Sequence, residues 1–276
     1  MSGLESKVAF VTGAAHGQGR SHAVGLAKQG VDIIAVDVCG QIPLVPYALG
    51  TKEELDETVA LVQEAGRQAI GIVADVRDGA AISAAAVAGE EHFGRIDIVV
   101  ANAGVNLDGA PAQDIPDEAW QLMLDINLTG VWHTARSTVP ALLRAGGGSI
   151  IMTSSVAALR PYSGIAHYNA AKAGVVALMQ TMALELAPHG VRVNTLNPSA
   201  VETPMIMNEA LMRNFVPESP QPTHEEFASR AQLINAMPIP WVQPIDITNA
   251  VIWLASDEAR YVTGVALPID AGARIK

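Results

Sequence analysis

Residues 8–37 read VAFVTGAAHGQGRSHAVGLAKQGVDIIAVD. A β-branched and aromatic run, Val8–Thr12, leads into a glycine cluster. An alanine-rich helical stretch follows, and a second apolar run, Asp32–Asp37, ends on a carboxylate. Gly13, Gly17 and Gly19 let a turn adopt positive φ and let the main chain approach a diphosphate closely. The N-terminus of the next helix would add N–H donors and the positive end of its dipole. Strand, glycine turn, helix, strand and acid, in that order, describe a dinucleotide-binding βαβ unit.

The acid discriminates between nucleotides. A carboxylate at Asp37 can accept hydrogen bonds from the ribose hydroxyls of NAD and would repel the extra phosphate of NADP. Neither His16 nor Val38 supplies a fixed positive charge for that phosphate, and Arg20 belongs to the following helix, facing elsewhere. The expected cofactor is NAD. Its expected contacts here are Gly13, Ala15, His16, Gly17, Gln18, Gly19, Asp37 and Val38. Asp75 and Val76, ending the third strand, would bracket the adenine. Asn102, Ala103 and Gly104, ending the fourth, would leave room for the adenosine ribose.

Working outward, the same alternation continues. Further strands are expected at Ala69–Asp75, Ile96–Ala101, Ser149–Thr153, Arg192–Leu196 and Val265–Ile269, with helical stretches between most of them. Nearly continuous apolar strands joined by such crossovers make an α/β fold: a single-domain, Rossmann-type, doubly wound parallel sheet of seven strands with helices on both faces. One unit, residues 1–276, is expected, since no linker or compositional break divides the chain.

Two stretches depart from the pattern. Residues 38–50, VCGQIPLVPYALG, contain two prolines and precede a helix that Thr51 and Glu54 start with a capping box. Residues from about 201 to 244 are rich in Met and Pro. Both read as long functional loops, the second as a lid over a substrate.

Composition narrows the function classes. With 17 basic and 28 acidic residues the net charge is −11, a surface that repels nucleic acids and anionic membranes. The opening MSGLESKVAF lacks a long apolar run, and Cys39 is the sole cysteine, so a cytoplasmic setting without disulfides is expected. A lone Cys among scattered His is poor material for a metal site, and none is expected.

The chemistry-bearing residues follow. Tyr168-Asn169-Ala170-Ala171-Lys172 places a phenol and an ammonium four residues apart, on one face of a helix, and Ser155 lies thirteen residues before Tyr168. A free phenol titrates near 10, too high for an efficient base at neutral pH, and a neighbouring ammonium favours the phenolate. Together with TGAAHGQG, Asn102-Ala103-Gly104 and Asn127, these motifs resemble the short-chain dehydrogenase/reductase family over essentially the whole chain. The resemblance implies hydride transfer between NAD and an alcohol/ketone pair. Tyr168 would be the acid/base and Ser155 would orient the substrate oxygen. Lys172 would lower the phenol's pKa and hold the nicotinamide ribose, and Asn127 would hold a relay water. It also implies cofactor contacts at Pro198, at the main chain of Val201 and at the Thr203 hydroxyl. Ser199 departs from the family, which usually has glycine after that proline. Ser154 competes for the serine role, but the offset favours Ser155.

The residues 38–50 and TGAAHGQGRSHA further resemble the carveol-dehydrogenase-like subgroup associated with mycofactocin. That resemblance implies NAD held without exchange and reoxidised in place, with mycofactocin as electron acceptor. Ile42, Leu44, Val45 and Tyr47 give the loop an apolar side that would fold over the adenosine half. An insertion without a cofactor role is the alternative. In the lid, Met205, Ile206, Met207, Leu211, Met212, Phe215, Met237 and Trp241 suit a hydrophobic secondary alcohol or ketone such as a cyclic terpenoid. They could equally serve to pack the lid onto the body. By family resemblance the alanine-rich stretch Ala166–Leu186 packs against its twin in a homotetramer. Other functions compete: an ordinary NAD(P)-exchanging ketoreductase; an NADP-dependent biosynthetic ketoreductase, against which Asp37 argues; and a non-catalytic dinucleotide sensor, which would be expected to lack one of Ser155, Tyr168 or Lys172.

Overall fold

A computed structural model describes residues 3–276; Met1 and Ser2, the first two positions of the expected unit, lie outside the described residues. The strands are β1 (Val8–Thr12), β2 (Asp32–Asp37), β3 (Ala69–Val73), β4 (Ile98–Ala101), β5 (Gly148–Thr153), β6 (Val191–Pro198) and β7 (Ala266–Ile269). They form one parallel sheet in the order β3-β2-β1-β4-β5-β6-β7. Strand order reverses beside β1, and the crevice outside β1 and β4 is where such sheets bind ligands.

Helices α1 (Gly17–Ala27), α2 (Lys52–Glu64) and α3 (Gly79–Phe93) connect the first four strands. Next come α4 (Asp117–Leu124), α5 (Gly130–Arg144), α6 (Ala166–Leu186), α7 (Glu209–Phe215), α8 (His224–Gln232) and α9 (Pro244–Ala255). The sheet feeds two cores by its period of two. Val8 and Phe10 of β1 join the core under α3, α5 and α6. Ala9 and Val11 join the one under α1, α2 and α9.

Several boundaries move. The expected third strand stops at Val73 because the chain turns at Asp75, whose carbonyl accepts from Asp78 N at 3.0 Å. Strand β4 begins at Ile98, two residues late. Between β4 and β5 the helical stretch is interrupted by a π turn at Asp125–Thr129, which joins α4 to α5 and contains Asn127. The capping box at α2 forms as read, Glu54 N donating to Thr51 Oγ1 at 3.2 Å and Thr51 N to Glu54 Oε2 at 2.9 Å.

Residues 38–50 form no helix or strand. Gln41 staples this loop from within, its Nε2 donating to the carbonyls of Val45 and Tyr47, both at 3.1 Å. Ile42, Val45 and Tyr47 turn inward, whereas Leu44, expected on the same side, takes φ +71° and faces solvent. The lid is more structured than a loop: α7 and α8 enclose a small core of Phe227, Ala231 and Trp241. Its two ends are pinned together. Val242 N donates to Ala200 O and Glu202 N to Val242 O, both at 3.0 Å, and Trp241 Nε1 reaches Glu202 Oε2 at 3.0 Å.

Candidate active site

The glycine turn after β1 is shaped by close approach. A Cβ at Gly19 would lie 1.9 Å from Gly13 O, so no side chain fits where α1 meets the turn. His16 leads into α1 with no side chain capping it, which leaves the first N–H groups of the helix open to a diphosphate. Gly13, His16, Gly17, Gln18, Asp37, Val38, Asp75, Val76, Asn102, Ala103, Gly104 and Thr203 line one groove. Gln18 Oε1 lies buried there with no hydrogen-bond partner. An orphaned acceptor beside an uncapped helix end and a carboxylate is a donor–acceptor set that a dinucleotide would complete.

Asp37 is 6% exposed and pre-oriented: Oδ2 accepts from Ala15 N at 3.0 Å and Oδ1 from Cys39 N at 3.2 Å. Each carboxylate oxygen retains capacity for a ribose hydroxyl. Arg20 does face elsewhere, towards Ala15 O and Glu54 O at 2.6 and 2.9 Å and Glu57 at 2.7 Å. Ala15 and Gly19 shape the groove from behind, and Pro198 and Val201 are buried beside it; none of the four lines its wall. The Thr203 hydroxyl donates to Val201 O at 3.2 Å. Ile42 and Tyr47, expected to fold over the adenosine half, line the groove, as do Leu49, Gly50 and Met205, which no motif marked as contacts. Gly50 has a local reason: a Cβ there would lie 2.6 Å from Ala15 Cβ.

Ser155 ends the turn after β5, its Oγ accepting from Ala157 N at 3.1 Å, and Tyr168 stands on the first turn of α6. Both line a second, largely apolar cavity of about 640 Å³ beneath the lid. Ser154, the competitor, donates to Lys172 O at 2.8 Å and is structural. Lys172 is buried; Nζ donates to Thr153 O at 2.8 Å and lies 5.7 Å from the centre of the Tyr168 ring. Burial pushes Lys172 down to about 8. The expected lowering of the Tyr168 phenol is not realised in this state. Burial raises it above the ordinary value, and the hydrogen bond with Ser155 works in the opposite direction.

Asn127 is fully buried in the π turn. Its Oδ1 accepts from Val105 N at 2.8 Å and its Nδ2 donates to Val105 O at 2.7 Å, so the side chain holds the segment after β4. A Cβ at Gly104 would fall 3.0 Å from Asn127 Oδ1 and 3.4 Å from Lys172 Nζ, so both side chains lie against the same face of this glycine. Among the described residues no three His, Cys, Asp or Glu side chains gather to hold a metal ion.

The short chain dehydrogenase family model matches residues 7–214. A (-)-trans-carveol dehydrogenase of Rhodococcus erythropolis is 52% identical over 277 residues, covering 100% of both chains. The solved carveol dehydrogenase of Mycobacterium avium, in complex with NAD, superposes with a TM-score of 0.98 at 51% identity, covering 99% of each chain. A levodione reductase structure superposes at 0.86 with 31% identity over 98% of each. The strand order, the uncapped glycine turn, the Ser155–Tyr168–Lys172 constellation and these likenesses agree: the chain belongs to the short-chain dehydrogenase family.

Proposed function

We propose that the protein is an NAD-dependent dehydrogenase that interconverts a hydrophobic secondary alcohol and its ketone. The observation that carries this reading is the meeting of Ser155, Tyr168 and Lys172 where the dinucleotide groove and the apolar cavity adjoin. When bound, NAD supplies the hydride acceptor. Asp37 would hold the adenosine ribose hydroxyls and the N-terminus of α1 the diphosphate. Val201 and Thr203 would hold the carboxamide.

Around the reacting carbon the chain's own groups manage the proton. Ser155 orients the substrate oxygen and stabilises charge developing on it. Tyr168 takes the hydroxyl proton as the alcohol is oxidised and returns it in the reverse direction. Lys172 holds the nicotinamide ribose and favours the phenolate. Since the Asn127 side chain is already bound to Val105, a relay water between it and Lys172 would sit on its peptide carbonyl. Apolar walls suit a cyclic terpenoid alcohol, and relatives named for carveol support that class.

The finer reading is that NAD does not exchange, that mycofactocin reoxidises it in place, and that four copies assemble in a reducing cytoplasm. The inward-turned Ile42, Val45 and Tyr47 support retention of the nucleotide. The test is to denature exhaustively gel-filtered protein and quantify the nucleotide released. Near-stoichiometric NAD is expected. Protein that emerges empty yet binds added NAD reversibly would reject captivity, and recovered NADP would overturn the role of Asp37.

A further inference from the structure

Asn106 follows β4 and lies on the wall of the apolar cavity, one residue past Val105 of the dinucleotide groove. Its main-chain N–H is fixed from outside, donating to the Tyr47 hydroxyl at 2.9 Å. Its side chain is not. Oδ1 is buried without a hydrogen-bond partner, and Nδ2 donates to nothing among the described residues. The Ser199 hydroxyl, beyond the end of β6 on the wall of the same cavity, is likewise buried and unpartnered.

Two such groups in one apolar chamber call for an explanation, because an unpaired buried polar group destabilises the fold. Ser155 and Tyr168 already account for the reacting oxygen. Ser199 lies between Pro198 and Val201, the expected contacts of the nicotinamide end, whereas Asn106 does not line the dinucleotide groove, which leaves the Asn106 carboxamide for the substrate. With Oδ1 sealed, the Nδ2 donor is left to meet a hydroxyl or a carbonyl oxygen from the cavity.

We propose that Asn106 recognises a second oxygen on the substrate, making the preferred substrate a dioxygenated hydrophobic compound, a diol or hydroxyketone. The proposal rests on the cavity being the substrate site of the dehydrogenase described above. A mono-oxygenated alcohol would leave the carboxamide buried against hydrocarbon, and sites built to hydrogen-bond a ligand reject analogues that lack the group.

The test uses NAD-loaded enzyme and a panel of p-menthane secondary alcohols, with or without a second hydroxyl or keto oxygen at each remaining position. Turnover gives kcat/KM, and calorimetry gives Kd independently of chemistry. At least one dioxygenated isomer is expected to outperform the mono-oxygenated parent by about tenfold or more in both. That ratio should collapse towards one in Asn106→Leu, and in Asn106→Ala should the larger side chain prevent folding. No preference in the unmodified enzyme, or a preference that survives both substitutions, would overturn the proposal. A binding preference without hydride transfer would uphold Asn106 and overturn the dehydrogenase reading. A panel that neither binds nor reacts would overturn both.

Discussion

Tyr168 and Lys172 titrate against each other's needs. Burial holds the phenol high while it brings the ammonium down to about 8. Oxidation of alcohol requires the phenolate, so its kcat/KM should rise with pH through the neutral and alkaline range. Ketone reduction requires the phenol and should stay level there. Above about 8 the ammonium's support is lost, so the oxidation profile should inflect near that value. Lys172→Met should remove the inflection, and Tyr168→Phe should lower the rate by roughly 10²–10⁴-fold. A second titration concerns stability. His22 is buried against Thr248, Nδ1 to Oγ1 at 2.8 Å, and burial lowers it from 6.5 to about 3. The unfolded chain therefore takes up a proton below 6.5 that the folded chain refuses until about 3. Stability should fall by up to about 1.4 kcal/mol per pH unit across that window. Urea melts of the protein and of His22→Asn between pH 7 and 4 check this: the variant should lose less on acidification.

Among the elements, the loop at 38–50 does more than its sequence announced. Its apolar spacing suggested a cover for adenosine, and Ile42, Val45 and Tyr47 do turn inward. That Tyr47 also grips Asn106, fifty-nine positions away, was invisible, because a pairing at that range is fixed by the sheet's topology and not by local pattern. Replacing residues 39–49 by a short turn should accelerate NAD dissociation, measured by stopped-flow displacement; an unchanged rate would count against the loop's role. Tyr47→Phe should loosen the segment around Asn106 and raise the KM for substrate. Much of the site was legible: glycine turn, acid, serine and tyrosine–lysine pair each have a local spacing that the chemistry demands. The π turn was not, because its register slip leaves the apolar period of the flanking helices almost intact. Leu44 was misplaced for a similar reason, since period alone does not reveal a left-handed residue.

At the scale of the whole molecule, α6 presents a contradiction that assembly would resolve. It is the one helix among the described residues long and apolar enough, by length and composition, to cross a bilayer. Yet it carries Lys172, buried within the fold. Leu184 on the same helix is 81% exposed, and Trp132 and Leu143 of α5 are also exposed. Pairing of α6 with its twin in the proposed homotetramer would cover Leu184. For the tetramer proposed above light scattering should report four copies, and Leu184→Lys, by opening one of its interfaces, should yield smaller species with the nucleotide still bound. A tetramer indifferent to that substitution would place the interface elsewhere.

The pinned neck at Val201 and Val242 has a further consequence. A segment of some forty residues leaves the sheet and returns to the same point, carrying its own aromatic core. Beyond Met205 it is thus a cassette, separable in design from the machinery that handles hydride and proton. Exchanging residues 206–241 for the corresponding stretch of a relative, with Thr203 and Met205 left in place, should shift substrate preference, while the nucleotide preference stays with the recipient. Diversification within such a scaffold can proceed by rewriting one module without renegotiating the rest.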